Sequence, residues 1–326
     1  MLEQLGVFGN VAVLVASLVV LIRASSLAIT NAVNLASVTG LGKTKVGFML
    51  VAFSTSLPEL FVVLFAIMNP ATIGVSVGNV LGSNIVNICL ILGASFLLMA
   101  WKYPDSVGFF TRMARDEVGD LNFGIFIASI VPLILLYLGY ASQIVGILLI
   151  ALFFFDMYGL ARKRETVEEI SLEAEKQQRG KYFAKAFIGI IGIIACAYFI
   201  VESASVLAGG AGIPPVIIGS TIVALGTSIP ELATSLGSVN KGFLDLAVGN
   251  VIGSCFLNIT LILGLTFLLA PFNVDVSSFS DLIIFSLIVN ILLWYMMQNT
   301  KVSKREGTIL LAIYFIFLAV SFTHHQ

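Results

Sequence analysis

The chain has 326 residues, of which 59% are hydrophobic and only 11% charged. Soluble domains carry roughly 25% charged residues, so the composition excludes an ordinary soluble globule and indicates an integral membrane protein. The formal net charge of −1 provides no electrostatic footprint for a nucleic-acid partner.

A spanning helix needs about 20 apolar residues. On that criterion the sequence predicts ten spans, at 5–24, 45–68, 72–99, 123–139, 142–161, 184–208, 215–238, 243–270, 280–298 and 307–323. No charged leader followed by a small-residue cleavage site is expected. Between the fifth and sixth spans lies the only long charged segment, Arg162 to Lys181, where Thr166 and Glu169 have capping-box spacing. It reads as a solvated linker.

The basic residues then suggest an orientation. With the N-terminus outside, Lys43, Lys45, Lys102, Arg112, Arg115, the linker, Lys241, Lys301, Lys304 and Arg305 fall inside. Arg23 sits at the inner end of the first span and Lys185 at the inner start of the sixth. No lysine or arginine remains outside, as the positive-inside rule requires.

Five spans per half is an odd number, so the two halves are expected to cross the membrane in opposite directions. The predicted fold class is an all-α integral membrane protein with ten transmembrane helices arranged as two inverted five-helix repeats. Residues 1–161 form the first repeat, 162–183 a cytoplasmic linker and 184–326 the second repeat. Both termini are expected outside a plasma membrane. Such inverted repeats are common in secondary transporters.

The two halves share motifs. GFMLVAFSTSLPEL at 47–60 is matched by GSTIVALGTSIPEL at 219–232, an offset of 172. VGNVLGSNIVNICLILG at 77–93 is matched by VGNVIGSCFLNITLILG at 248–264, an offset of 171. Each copy sets one carboxylate, Glu59 or Glu231, after a proline in an apolar stretch. Ionisable residues at membrane depth are costly and mark function by default. On a helix, Thr55 and Ser56 share a face with Glu59, and Thr227 and Ser228 share one with Glu231. Pro58 has no N–H for the Ser54 carbonyl, nor Pro230 for that of Gly226, so each helix is expected to kink or open just before its glutamate.

The second motif supplies neutral oxygen. Ser83 and Asn87 are four apart, as are Ser254 and Asn258. Gly78, Gly82, Gly249 and Gly253 form small-xxx-small patches suited to close helix approach. Carboxylate, hydroxyl and amide oxygens together suit hard cations such as Ca²⁺, which takes 6–8 oxygen ligands. Cys89, Cys196 and Cys255 lie in apolar segments and read as packing residues, and His324 and His325 as a frayed tail. Asp156 and Asp245 read as interfacial. Trp101, Tyr103 and Trp294 suit either interface or packing. Glu202 in the sixth span has no acidic counterpart in the first half, and its role stays open.

TSLPEL at 55–60 and TSIPEL at 227–232, each followed by GN-V-x-GS-x-x-x-N, resemble the alpha repeats of the sodium/calcium exchanger branch of the cation/calcium antiporter superfamily, in its prokaryotic form. The resemblance implies one central cation cluster built from the second, third, seventh and eighth helices. It implies that Glu59 and Glu231 bind both Ca²⁺ and Na⁺. It implies Na⁺ ligation by Thr55, Ser56, Thr227, Ser228, Ser83 and Ser254, with the carbonyls of Ala52 and Ala224, and completion of the ring by Asn87 and Asn258. Some relatives carry an aspartate where Asn258 stands. With asparagine at both places the site holds two formal negative charges, which one Ca²⁺, two Na⁺ or two H⁺ balance. The proton-coupled branch has a GNAxE pattern around its glutamates, absent here, which favours Na⁺.

The expected function is therefore a secondary antiporter, not an enzyme. It exports Ca²⁺ against Na⁺ by alternating access, without a cofactor, as a monomer in the lipid bilayer. H⁺/Ca²⁺ exchange through the same glutamates is the first alternative. A two-carboxylate intramembrane hydrolase lacks its GxGD context here, and a channel suits a single-depth pair of charged ligands less well.

Overall fold

The structure is a computed structural model. It describes residues 2–39, 52–103, 125, 130, 133, 137, 139–162, 179–242, 244–273, 276–298 and 304–323. The expected start of the second span (45–51), most of the fourth (123–139) and the linker with its Thr166–Glu169 box lie outside the described residues. So do Lys43, Lys45, Arg112, Arg115, Lys301, His324, His325 and the side chain of Asp245.

In a bilayer every backbone polar group must be satisfied internally, and helices do this locally. Accordingly almost all described residues are helical. After a 3₁₀ turn, α1 runs Gly6–Thr39. Next come α2 (Leu57–Ala66), α3 (Ile73–Ile85) and α4 (Gly93–Lys102). The first half closes with α5 (Gln143–Arg162) and the second opens with α6 (Arg179–Ala211). Then follow α7 (Pro215–Ile218), α8 (Ala224–Thr227), α9 (Ile229–Asn240), α10 (Leu244–Leu257), α11 (Leu263–Leu269), α12 (Val276–Gln298) and α13 (Lys304–Thr323).

Six described stretches are long and apolar enough to cross a membrane: Gly6–Asn31, Pro70–Lys102, Arg179–Ala211, Leu246–Leu269, Phe279–Met296 and Lys304–Thr323. The bent pair Pro215–Thr227 and Ile229–Asn240 makes a seventh. The protein is a multi-pass integral membrane protein.

Two spans differ from expectation in length. α1 continues sixteen residues past Arg23, so Arg23 does not mark a helix end. α6 begins at Arg179, inside the charged segment. Serine and asparagine after Arg23 lower the hydropathy without breaking the helix. Asn31, for example, donates from Nδ2 to the Leu27 carbonyl at 2.7 Å, within its own helix. α1 and α6 pack along one another. A Cβ at Gly189 would lie 2.6 Å from the Ala28 nitrogen, and one at Gly192 would lie 2.9 Å from the Ala24 Cβ. Small residues thus bring the two backbones together, as in membrane helix pairs generally.

The core belongs to two other rods. α3 and α4 are joined by a π-helical stretch, Val86–Leu92, and α10 and α11 by another, Asn258–Ile262. A third, Gly219–Val223, joins α7 to α8. None of these widened turns is legible from apolar periodicity. The glycine expectation holds for the first half. A Cβ on Gly78 would meet the Val216 carbonyl oxygen at 2.3 Å, and one on Gly82 the Ser220 oxygen at 2.3 Å. α3 therefore presses directly on the α7–α8 strand of backbone.

One departure from an all-helical fold is a two-residue antiparallel pair, β1 (Tyr140–Ala141) with β2 (Phe272–Asn273), Tyr140 facing Asn273. Gln143 donates to the Leu268 carbonyl beside it at 3.1 Å. At another junction Lys102 Nζ donates to the Asn240 carbonyl at 2.7 Å, and the Tyr103 hydroxyl donates to the same oxygen at 3.1 Å. That carbonyl ends α9, where a cation is favoured by the helix dipole. Trp101 is exposed, as a lipid-interface residue would be.

Gly189→Leu is expected to destabilise the α1–α6 contact by about 1–3 kcal/mol, the usual cost of overpacking. Gly209 has open space around it, so Gly209→Ala is expected to be neutral. Thermal unfolding of the two variants in detergent checks the difference.

Candidate cation site

Prolines in the first turns of α2 and α9 set the local geometry. Residues 52–55 form a helical turn that stops at Ser56, with φ −86° and ψ 7°, before α2 restarts. Ser228 does the same between α8 and α9, with φ −84° and ψ 5°. The two breaks are nearly superimposable in backbone angle, and the second bends its span by 44°. The expected opening just before each glutamate is present in both copies.

Glu59 and Glu231 are both fully buried. Their hydrogen bonds cross between the halves. The Ser56 hydroxyl donates to Glu231 Oε1 at 3.2 Å, and the Ser228 hydroxyl to Glu59 Oε1 at 3.3 Å. Thr55 and Ser254 hydroxyl oxygens lie 3.4 Å apart, and so do those of Ser83 and Thr227. Ser254 also donates to Glu231 Oε1 at 3.3 Å. Every one of these residues is buried. Eight of the expected site residues thus lie in three hydrogen-bonded groups, each drawing on both halves: Thr55, Ser56, Glu231 and Ser254; Glu59 and Ser228; Ser83 and Thr227.

The second carboxylate oxygens, Glu59 Oε2 and Glu231 Oε2, are buried with no hydrogen-bond partner among the described residues. Two anionic groups in that condition are strongly disfavoured in a low-dielectric interior. Their hydroxyl neighbours can rotate lone pairs toward a cation without any backbone movement. The arrangement is a ready set of hard oxygen donors. Among the described residues no group of three His, Cys, Asp or Glu comes together, so the two glutamates are the only carboxylates of the described site.

The remaining expected ligands stand differently. The Ala52 carbonyl accepts from the Ser56 nitrogen at 3.1 Å and from the Thr55 hydroxyl at 3.0 Å. That of Ala224 accepts from the Ser228 nitrogen at 3.1 Å and from the Thr227 hydroxyl at 3.3 Å. Each threonine has one hydroxyl proton, given either to its alanine carbonyl or to the asparagine Oδ1 of the other half, and the alanine oxygen keeps a lone pair for a cation when the asparagine takes it. Asn87 and Asn258 are buried, and neither amide hydrogen-bonds to a nitrogen or oxygen of the described residues. Both lie at the widened turns, Asn87 as the second residue of Val86–Leu92 and Asn258 as the first of Asn258–Ile262. π-helical turns recur at functional sites because they shift side chains out of α register.

The structure adds residues that the spacing argument passed over. Asn79 Oδ1 lies 3.0 Å from the Thr227 hydroxyl, and Asn250 Oδ1 lies 3.5 Å from that of Thr55. Asn250 Nδ2 donates to the Ser235 hydroxyl at 3.1 Å. The aligned position in the first half is Val63, and Asn79 Nδ2 has no partner among the described residues. The signal was present in the sequence, since both asparagines sit in the repeated VGNV. Cys255 is buried, and its carbonyl accepts from Asn84 Nδ2 at 3.5 Å. Asn84 and Cys255 occupy aligned positions in the two copies, so here a position meets its own counterpart. Glu202 stands apart from the cluster and lines a separate cavity with Phe65, Asn69 and Tyr198.

A family profile described as "Sodium/calcium exchanger protein" matches residues 9–160 and 181–323. Inner membrane protein YrbG of Escherichia coli is 31% identical over 95% of this chain and 95% of its own length. Sodium/calcium exchanger MaX1 of Methanosarcina acetivorans is 31% identical over 96% of this chain and 98% of its own. Among solved structures, the sodium-calcium exchanger NCX_Mj superimposes with a TM-score of 0.67 at 25% identity, covering 96% of this chain and 99% of that one. The H⁺/Ca²⁺ exchanger CAX superimposes with a TM-score of 0.77 at 18% identity, covering 97% and 87%, a likeness of fold. With the profile spanning both halves and relatives matched along nearly their whole length, the chain belongs to the sodium/calcium exchanger protein family.

Proposed function

We propose that the protein is a secondary antiporter that exports Ca²⁺ in exchange for Na⁺ through one mid-membrane site shared by both ions. The crossed hydroxyl–carboxylate pairs, Ser56 with Glu231 and Ser228 with Glu59, carry this reading. They make a single site from both halves, so ions that need these oxygens exclude one another. An empty site leaves two carboxylates uncompensated in a low-dielectric interior and resists reorientation. A loaded site is neutral and moves. Exchange follows from that difference, and leak is suppressed.

The finer architecture proposed is ten spans in two inverted five-helix repeats, residues 1–161 and 184–326, joined by a linker at 162–183. Reciprocal contacts between aligned positions support it. So does the sidedness of the described basic residues. Lys102 bonds to Asn240 beside Lys241, and α13 enters near the same end, with Gly307 against Gly93 and Leu97. That end is proposed as cytoplasmic, with the termini opposite, in the plasma membrane of a functional monomer. α1 and α6, which pack chiefly on each other, are proposed to slide across the site-bearing core. Ala52, Ala224, Asn87 and Asn258 are proposed as ligands that engage when an ion is bound.

H⁺/Ca²⁺ exchange through the same glutamates is the second reading, supported by the likeness to CAX. The hydroxyl-rich surroundings of the carboxylates favour Na⁺. In proteoliposomes loaded with Na⁺, ⁴⁵Ca²⁺ uptake is expected to follow an outward Na⁺ gradient. Uptake driven as well by a pH step without Na⁺ transfers the assignment to H⁺.

Glu59→Gln and Glu231→Gln are each expected to abolish Na⁺-driven ⁴⁵Ca²⁺ flux. Unchanged flux in either variant would sink the shared site. Asn79 and Asn250 orient the Thr227 and Thr55 hydroxyls, so Asn79→Ala and Asn250→Ala are each expected to weaken Ca²⁺ affinity about 10–100-fold, the usual effect of removing a supporting group. Equilibrium ⁴⁵Ca²⁺ binding to the purified variants measures it.

A further inference from the structure

Glu202 takes no part in the cation cluster, yet it lies at the edge of a cavity of about 200 Å³ between α2 and α6. Its walls are Phe65, Met68, Tyr198 and Val201, with Asn69 and Thr72 at one side. The Phe65 and Tyr198 rings meet edge to face with centroids 5.7 Å apart. Phe65 is six residues beyond Glu59 on the same helix, roughly 9 Å along its axis at 1.5 Å per residue. The cavity is thus separate from the cation site and nearer the end of the bundle that carries the 66–72 turn.

The donor set decides what it can hold. The Thr72 hydroxyl is engaged with the Ala66 and Asn69 carbonyls. Asn69 Oδ1 accepts from the Ala71 nitrogen at 3.0 Å. Glu202 has no hydrogen bond or ion pair among the described residues and is the only carboxylate in the lining. One free carboxylate falls far short of the 6–8 oxygens that Ca²⁺ takes. A carboxylate beside two aromatic rings and a thioether is instead the surrounding that favours an alkylated ammonium, held by charge and by cation–π attraction. The volume is below the roughly 300–1,000 Å³ of pockets for drug-sized ligands, so the occupant is a small head group.

We propose that the cavity between α2 and α6 is a binding site for an alkylammonium group, with Glu202 as counter-ion and Phe65 and Tyr198 as the aromatic wall. The group belongs either to a free ammonium compound or to the head of a choline phospholipid. Because the cavity lies between α6 and the glutamate-bearing α2, an occupant would tie the two together. Inhibition of exchange by the occupant rests on the antiport reading, whereas binding does not.

The test uses the full-length purified protein and tetramethylammonium chloride, with NaCl at matched ionic strength as control. A saturable rise in Tm is expected for the wild type, with at least ten-fold weaker apparent affinity in Glu202→Gln and Tyr198→Ala and near-normal affinity in Tyr198→Phe. In proteoliposomes, apparent affinity that is weaker in phosphatidylcholine than in phosphatidylglycerol, for wild type but not Glu202→Gln, assigns the site to the lipid head. Equal affinity in both lipids assigns it to a free ammonium compound. A wild-type Tm that does not respond, or a response identical in Glu202→Gln, overturns the proposal. Tetramethylammonium binding without effect on ⁴⁵Ca²⁺ flux keeps the site and removes only its regulatory consequence.

Discussion

Two buried carboxylates, each taking a hydroxyl donor from the other half in a membrane interior, are the constraint around which the molecule is organised. Each ion of like sign raises the energy of the other, and neither has water to offset its desolvation. Hydroxyl donors lower that energy in part, and on the proposed reading a bound cation supplies the rest. Ser56 and Ser228 donate across the boundary between the halves, so neither half holds a complete site. On the proposed reading two negative charges are balanced by one divalent or two monovalent ions.

The backbone serves the same end. Proline after Ser56–Leu57 and after Ser228–Ile229 interrupts two helices at the level of their glutamates, and the π-helical turns carry Asn87 and Asn258. Irregular backbone at membrane depth survives only where protein or a cavity covers it. Here the covering is close. Gly78 and Gly82 leave α3 no room for a side chain against the backbone of residues 216–220. Those contacts fix the distance between the rods, and that distance fixes the reach of Ser83 toward Thr227. By contrast α1 and α6 meet each other over small residues and expose much of their length. Residues of α1 and α6 nonetheless share a buried apolar cluster with Val62 and Ala66 of α2 and Val75 of α3.

Much of the site was legible because a duplicated motif doubles every observation. Thr55, Ser56, Glu59 and their counterparts could be placed on shared faces from spacing alone, since helical periodicity is fixed. Asn79 and Asn250 escaped that reasoning because they contact hydroxyls from the other half, a relation between helices that no intrahelical spacing encodes. The π turns escaped because widening a helix by one residue leaves composition and apolar pattern unchanged. The ends of α1 and α6 were placed short because hydropathy measures affinity for lipid, and helices continue beyond it. The orphaned Asn79 amide follows from a single difference between the copies, Val63 against Ser235, which becomes meaningful only once Asn250 is seen bonded to that serine.

Equilibrium ⁴⁵Ca²⁺ binding to the purified wild-type protein, titrated with Na⁺ at constant ionic strength, tests the central claim most directly. The shared two-carboxylate site predicts one Ca²⁺ per chain, displaced completely by Na⁺, with apparent Kd rising in proportion to the square of Na⁺ concentration. Ca²⁺ that stays bound at saturating Na⁺ would contradict it.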